Sequence, residues 1–281
     1  MKLASFVTPA GKATYGLVEG DRVIDLGADR PHAPTLKAFL ATDEFKSGTV
    51  AAKGQDYALS GIKLLPVITD PGKIVCVGLN YGEHIKETGR SDSEFPVLFL
   101  RVATSQVAHD QPILKTAHSD CLDYEGELAL VIGQGGRNIK REDALKHVAG
   151  YSCYNDATIR DYQRHTHQYT PGKNFDKTGA FGPYLVSPDV ITDRKTTTLI
   201  TRLNGQEVQK AVLAQMIFSI EDIIEYVSRF TTLETGDVLV TGTPGGVGDR
   251  RKPPLYMKAG DVVEVEITGV GLLKNTIANE A

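Results

Sequence analysis

From about residue 70 to its C-terminus the chain repeats one device, an apolar run of strand length closed by a turn. KIVCVGL, PVLFLRV, GELALVIG, AGYSCYND, PYLVS, LITRLNGQEV, DVLVTG and DVVEVEIT all have this form, and Asn204-Gly205 and Gly236-Asp237 are typical of the turns between them. So many short strands predict a β-dominated α+β fold over residues 69–281. Two segments carry helical spacing instead. REDALKHVAG begins with the acidic pair Glu142 and Asp143, and IFSIEDIIEYVSRF sets Ile217, Ile220, Ile223, Ile224 and Val227 on one face. Residues 1–68 read as a small separate α+β unit: KLASFVT and YGLVEGDRVIDL are strands joined by Gly turns, and PTLKAFLA is a brief helix.

Whole-chain properties narrow the function by exclusion. The 281 residues suffice for a sizeable core, and 28 Gly with 13 Pro suit a turn-rich fold. A formal net charge of −4 offers no clustered cation for nucleic acid. No apolar run approaches the roughly 20 residues that span a bilayer, and the first residues lack a signal-like apolar core, so a cytoplasmic protein is expected. Cys76, Cys121 and Cys153 are far apart and show no CxxC spacing; Cys76 and Cys153 sit in apolar strand runs and are expected to be inert and buried.

The chemistry concentrates in a few acidic positions. DYEGELALVIG places Glu125 and Glu127 two apart at the start of a strand, so alternation points both to one face. The following LALVIG is apolar on both faces, which implies burial, and two buried carboxylates repel unless a cation joins them. Spacing alone does not decide this, because DVVEVEI gives Glu264 and Glu266 the same spacing in a strand that reads as half exposed. Asp156 ends AGYSCYND just before Arg160 and Gln163, where it suits either a helix N-cap or a third ligand. Three carboxylates without a His or Cys pair favour Mg²⁺ or Mn²⁺.

Three further stretches are polar enough to act. In GLNYGEHIKETG, His84 and Glu87 are adjacent if helical, a pair suited to general-base work, although a solvated loop would look the same. His165 and His167 in RHTHQYTPG read as a surface loop. PGKNFDKTG offers Lys173, and VLVTGTPGGVG runs into a Gly-rich loop whose backbone N–H groups, around Gly242, and Thr243 hydroxyl suit a carboxylate. That loop does not match a nucleotide-binding pattern.

Taken in order, GLNYGEH, PVLFLR, DYEGELALVIG, GYSCYNDATIRDYQ, PGKNFD, FGPYLVS and VLVTGTPGGVG resemble the fumarylacetoacetate hydrolase family over about residues 70 to 275. The resemblance implies a mixed β-sandwich roll with a small N-terminal domain, a bound Mg²⁺ or Mn²⁺, and a homodimer. It makes Glu125, Glu127 and Asp156 the metal ligands and His84 with Glu87 a water-activating pair on a segment that closes over substrate. Lys173 and Gln163 would stabilise oxyanion charge, while Arg160, Thr243, Gly242 and Arg101 would serve the substrate. Arg101 stands where several members carry Lys, which keeps the charge but changes the donor geometry. No counterpart is found for the fourth Asp ligand of some members. The expected reaction is hydrolytic C–C cleavage of a 2,4-dioxo acid, an acylpyruvate such as fumarylpyruvate or maleylpyruvate from aromatic breakdown. The alternatives on the same site are isomerisation of an unsaturated 2-oxo diacid and decarboxylation of oxaloacetate.

Overall fold

The computed structural model describes residues 1–88 and 94–280. Its main element is a twelve-stranded sheet. From one edge inward run Asp56–Ala58, Arg22–Asp25, Ala13–Glu19 and Lys2–Val7; the last pairs antiparallel with Gly179–Val186. The path continues through Val148–Asp156, Gly126–Ile132, Val238–Val240 and Ile74–Gly78 to Val97–Arg101 at the other edge. Residues 1–68 are therefore wound into one sheet with strands from the rest of the chain, and their Leu3, Tyr15, Leu26 and Phe39 share a core with Ile74, Ala129 and Val131. A second, five-stranded sheet contains Thr198–Leu203, Gln206–Val212, Val262–Ile267, Gly271–Asn279 and Ile113–Lys115.

The strand Gly126–Ile132 shows why its sequence is apolar throughout. Leu128, Leu130 and Ile132 enter the core formed with Leu199, Val263 and Val265 of the five-stranded sheet, whereas Ala129 and Val131 enter the core formed with the N-terminal strands and the helix Leu36–Leu40. Alternation sends successive side chains to opposite faces, and here both faces are covered. The expected Asn204-Gly205 turn is present, with φ of 51° and 78°, the left-handed pair that a two-residue hairpin requires.

Two expectations need correction, and one strand was not anticipated. REDALKH forms a 3₁₀ helix, Arg141–His147, and Val148 already belongs to the next strand, whose hydrogen bonds take precedence over helical propensity. The second helix starts later than its periodicity suggested, at Ile220, because Ser219 and Asp222 close a capping box there; Ile217 lies outside it and is exposed. The nine-residue strand Gly271–Asn279 had no counterpart in the sequence reading, since its polar Lys274, Asn275 and Asn279 mask the alternation. Cys76 and Cys153 are buried as expected, and burial pushes both thiols up. No helix among the described residues is long and apolar enough to cross a membrane.

Candidate active site

The site begins with strand register. Glu127 lies opposite Tyr154 in the antiparallel pair Gly126–Ile132 and Val148–Asp156, and two residues further the Asp156 N–H donates to the Glu125 carbonyl at 2.8 Å. Residues opposite one another present side chains to the same face, so Glu125, Glu127 and Asp156 converge. One oxygen from each lies within 4.8 Å of the others, and all three side chains are buried. Asp156 does not cap a helix, because the short helix after it, Arg160–Gln163, is preceded by Ile159 and has no side-chain cap.

Cations compensate two of the three carboxylates. Lys173, at the end of the helix Thr170–Lys173, places Nζ 2.5 Å from Glu125 Oε2 and bonds Asp156 as well. Arg160 sits 2.5 Å from the other Glu125 oxygen. Burial alone would raise the Glu125 pKa, but Arg160 and Lys173 hold it well below the usual carboxylate range. Asp156 is further paired with Arg101, which also donates to Ser105 Oγ at 3.2 Å and Thr178 Oγ1 at 2.7 Å.

Glu127 is different. Among the described residues no cation pairs with it, and its hydrogen bond comes from the Gly242 N–H at 2.5 Å. Burial, then Asp156 and Glu125, push its carboxyl well above the ordinary range. A buried carboxylate held toward two others without a counter-ion fits a hard divalent cation, since three oxygen ligands and no sulfur or imidazole are what such an ion prefers. Gly242 makes that hold possible: its φ is +101°, and a Cβ there would lie 2.7 Å from Asn80 Cβ.

His84 and Glu87 stand on the helix Gly82–Thr88 and are joined at 2.7 Å. The Gly246 N–H donates to the second Glu87 oxygen at 2.9 Å, tying the pair to the Gly-rich loop. His84 is buried and lines the same cavity of about 440 Å³ as the three carboxylates, Arg160, Gln163, Lys173 and Thr243. The remainder of the segment expected to close over substrate, residues 89–93, lies outside the described residues. Gln163 accepts from Arg160 at 3.0 Å, and the Thr243 hydroxyl donates to the Gly126 carbonyl at 3.0 Å while accepting from Gln209. Two expected substrate residues are used elsewhere. Arg101 is buried behind Asp156 rather than on the cavity wall, and the Gly242 N–H is spent on Glu127.

Several residues escaped the sequence reading. Asp123 is fully buried, bonds Arg160 Nε at 2.8 Å and accepts the N–H groups of Gly248 and Asp249, so it anchors the Gly-rich loop to the site. The two-residue spacing of Glu125 and Glu127 extends one step back to it and was the available signal. Asn80 clamps Thr241 and Phe218 at 2.7 and 3.0 Å, and Gln209 fastens Thr243; neither carries a local signature. His167, expected on a surface loop, is exposed but reaches the cavity wall with Arg164, Asp249 and Arg250.

Known proteins resemble this chain over nearly its whole length. A mitochondrial oxaloacetate tautomerase of Xenopus laevis is 40% identical, covering 99% of this chain and 90% of that protein. The solved fumarylacetoacetate hydrolase of Exiguobacterium antarcticum superposes with a TM-score of 0.86 at 36% identity, each chain covered in full. A 5-carboxymethyl-2-hydroxymuconate delta-isomerase of Mycobacterium smegmatis does so with a TM-score of 0.82 at 29% identity, again with full coverage of both. Residues 73–278 match the fumarylacetoacetate hydrolase C-terminal family model, and the chain therefore belongs to the fumarylacetoacetate hydrolase family.

Proposed function

We propose that the protein interconverts the keto and enol forms of a small 2-oxo diacid of the oxaloacetate type. The observation that carries this is His84, bonded to Glu87, lining the same cavity as an acidic triad in which Glu127 has no counter-ion among the described residues. A tautomerase needs a group that removes and returns one proton beside a centre that favours oxyanion charge, and no activated water. The relative named as an oxaloacetate tautomerase supports this reading over the expected hydrolase.

Glu125, Glu127 and Asp156 would hold a divalent cation, which supplies Lewis acidity that lowers the cost of charge on a 2-oxo oxygen. The protein's own residues do the rest. Glu87 holds the His84 imidazole by its Nδ1, leaving Nε2 to take the C3 proton of the keto form and deliver it to the enolate oxygen, and in reverse to carry the enol hydroxyl proton back to C3. Lys173, held protonated by Asp156 and Glu125 against the opposing effect of burial, and the Gln163 amide stabilise the oxyanion. Arg160 keeps Glu125 ionised, and the Thr243 hydroxyl, by turning from the Gly126 carbonyl into the cavity, would donate to the substrate carboxylate.

The second reading is hydrolysis of an acylpyruvate, favoured by the same His84–Glu87 pair acting on water and by the hydrolase among the structural neighbours. One experiment separates them: the ultraviolet decay of enol-oxaloacetate and pyruvate release from acylpyruvates are followed with Mg²⁺, with EDTA, and in His84→Ala. Metal-dependent enol decay that His84→Ala loses, without pyruvate, supports the tautomerase. Pyruvate from acylpyruvates alone transfers the assignment to hydrolysis, and pyruvate from oxaloacetate transfers it to decarboxylation.

A further inference from the structure

On the more exposed part of the cavity wall the charge balance reverses. Arg164 caps the short helix that Arg160 begins, about 6 Å of helical rise along it, and is half exposed where Arg160 is buried. Arg250 ends the 3₁₀ helix Gly248–Arg250, just beyond the Gly-rich loop. Both line the cavity, and both turn to one carboxylate: Asp249 pairs with Arg164 and lies 3.4 Å from Arg250 Nε. Asp249 is itself fixed, accepting the Tyr256 hydroxyl at 2.7 Å while its N–H donates to Asp123 at 3.0 Å. Two guanidiniums thus share a single carboxylate, whereas the inner Arg160 faces both Asp123 and Glu125. Each guanidinium has five N–H donors, and the contacts with Asp249 occupy few of them.

We propose that Arg164 and Arg250, braced by Asp249, form a subsite for the distal carboxylate of the substrate and so select 2-oxo diacids over 2-oxo monoacids. This rests on the 2-oxo acid reading of the inner site but not on the reaction carried out there. One end of a four- or five-carbon diacid occupies the inner site, and its second carboxylate arrives where a fork of N–H donors carries surplus positive charge. Because both side chains are about half exposed, solvent screens the interaction and its effect is moderate.

The test is calorimetric binding to the Mg²⁺-loaded protein of three stable probes. Oxalate occupies the inner site alone; 2-oxopentanoate and 2-oxoglutarate match in chain length and differ by a methyl against a carboxylate. The wild type is expected to bind 2-oxoglutarate about tenfold more tightly than 2-oxopentanoate, and Arg250→Gln or Arg164→Gln to erase that preference with oxalate binding unchanged. Equal affinity for the chain-matched pair in the wild type overturns the subsite. So does no measurable binding of the diacid, or a variant that weakens all three probes alike. Absence of oxaloacetate tautomerisation with the diacid preference intact would remove the proposed reaction and leave the subsite.

Discussion

Two strands of this protein carry the same Glu-x-Glu spacing and put it to opposite uses. On Val262–Ile267, Glu264 and Glu266 alternate with buried valines, and each faces a cross-strand cation: Lys274 at 3.8 Å and Arg202 at 2.7 Å. They are ordinary half-exposed ion pairs, worth little each. At the start of Gly126–Ile132, Glu125 and Glu127 are only 4% and 2% exposed, and a third carboxylate, Asp156, comes from the neighbouring strand. Spacing aligns two side chains; desolvation and an unbalanced charge count make the aligned pair reactive.

The sharpest way to break the comparison is to neutralise one carboxylate in each pair. Glu127→Gln is expected to lower metal-dependent activity by on the order of 100-fold or more and to abolish the rise in Tm on adding Mg²⁺, whereas Glu266→Gln stays within about 0.5 kcal/mol and changes activity less than about twofold. Equal effects at both sites in activity and melting measurements would refute the distinction.

Gly242→Ala tests the backbone that holds Glu127. The positive φ and the approach to Asn80 should cost about 1–3 kcal/mol, read as a lower denaturation midpoint, with weakened Mg²⁺ affinity because the Gly242 N–H moves. A loss of stability with unchanged affinity would separate the fold from the site.

Acidity offers a third test. The Glu127 pKa is raised in the folded protein, so its contribution favours folding below the ordinary carboxylate range, around 4.5, and is lost as pH rises through the raised value. In EDTA the wild type should therefore lose melting temperature relative to Glu127→Gln as pH climbs from about 4.5 toward neutral. Glu266→Gln should show no such divergence. Parallel pH profiles for wild type and Glu127→Gln would show that Glu127 is ionised without metal.

The smallest expected effect is at Arg101→Lys. The charge opposite Asp156 remains, but one ammonium cannot reproduce the fork that reaches Ser105 and Thr178, so Mg²⁺ affinity should fall by about 10-fold with kcat at saturating metal nearly unchanged. An unaltered metal titration would reduce Arg101 to a packing residue.

Much of this was legible locally. Periodicity marked the buried strand through LALVIG, parity placed Glu125 and Glu127 on one face, and Asn204-Gly205 marked its turn, because each depends on neighbours within a few residues. The same local reading misjudged REDALKH, whose helical pattern yielded to a strand beginning at Val148. It also passed over Asp123, which continues the parity of the glutamates but has no apolar strand to announce it.

What the sequence by itself determined is which carboxylates are available, which face two of them share, and that the chain folds mainly as strands. Only the tertiary structure decided that Asp156 meets them, that Lys173 and Arg160 neutralise Glu125 but leave Glu127 without a cation among the described residues, and that Arg164 and Arg250 converge on Asp249. The reason is physical: side-chain direction along a strand is set by the backbone's own alternation, whereas register between strands and the charge around a buried group depend on segments 17 to 85 residues apart that meet only when the core closes.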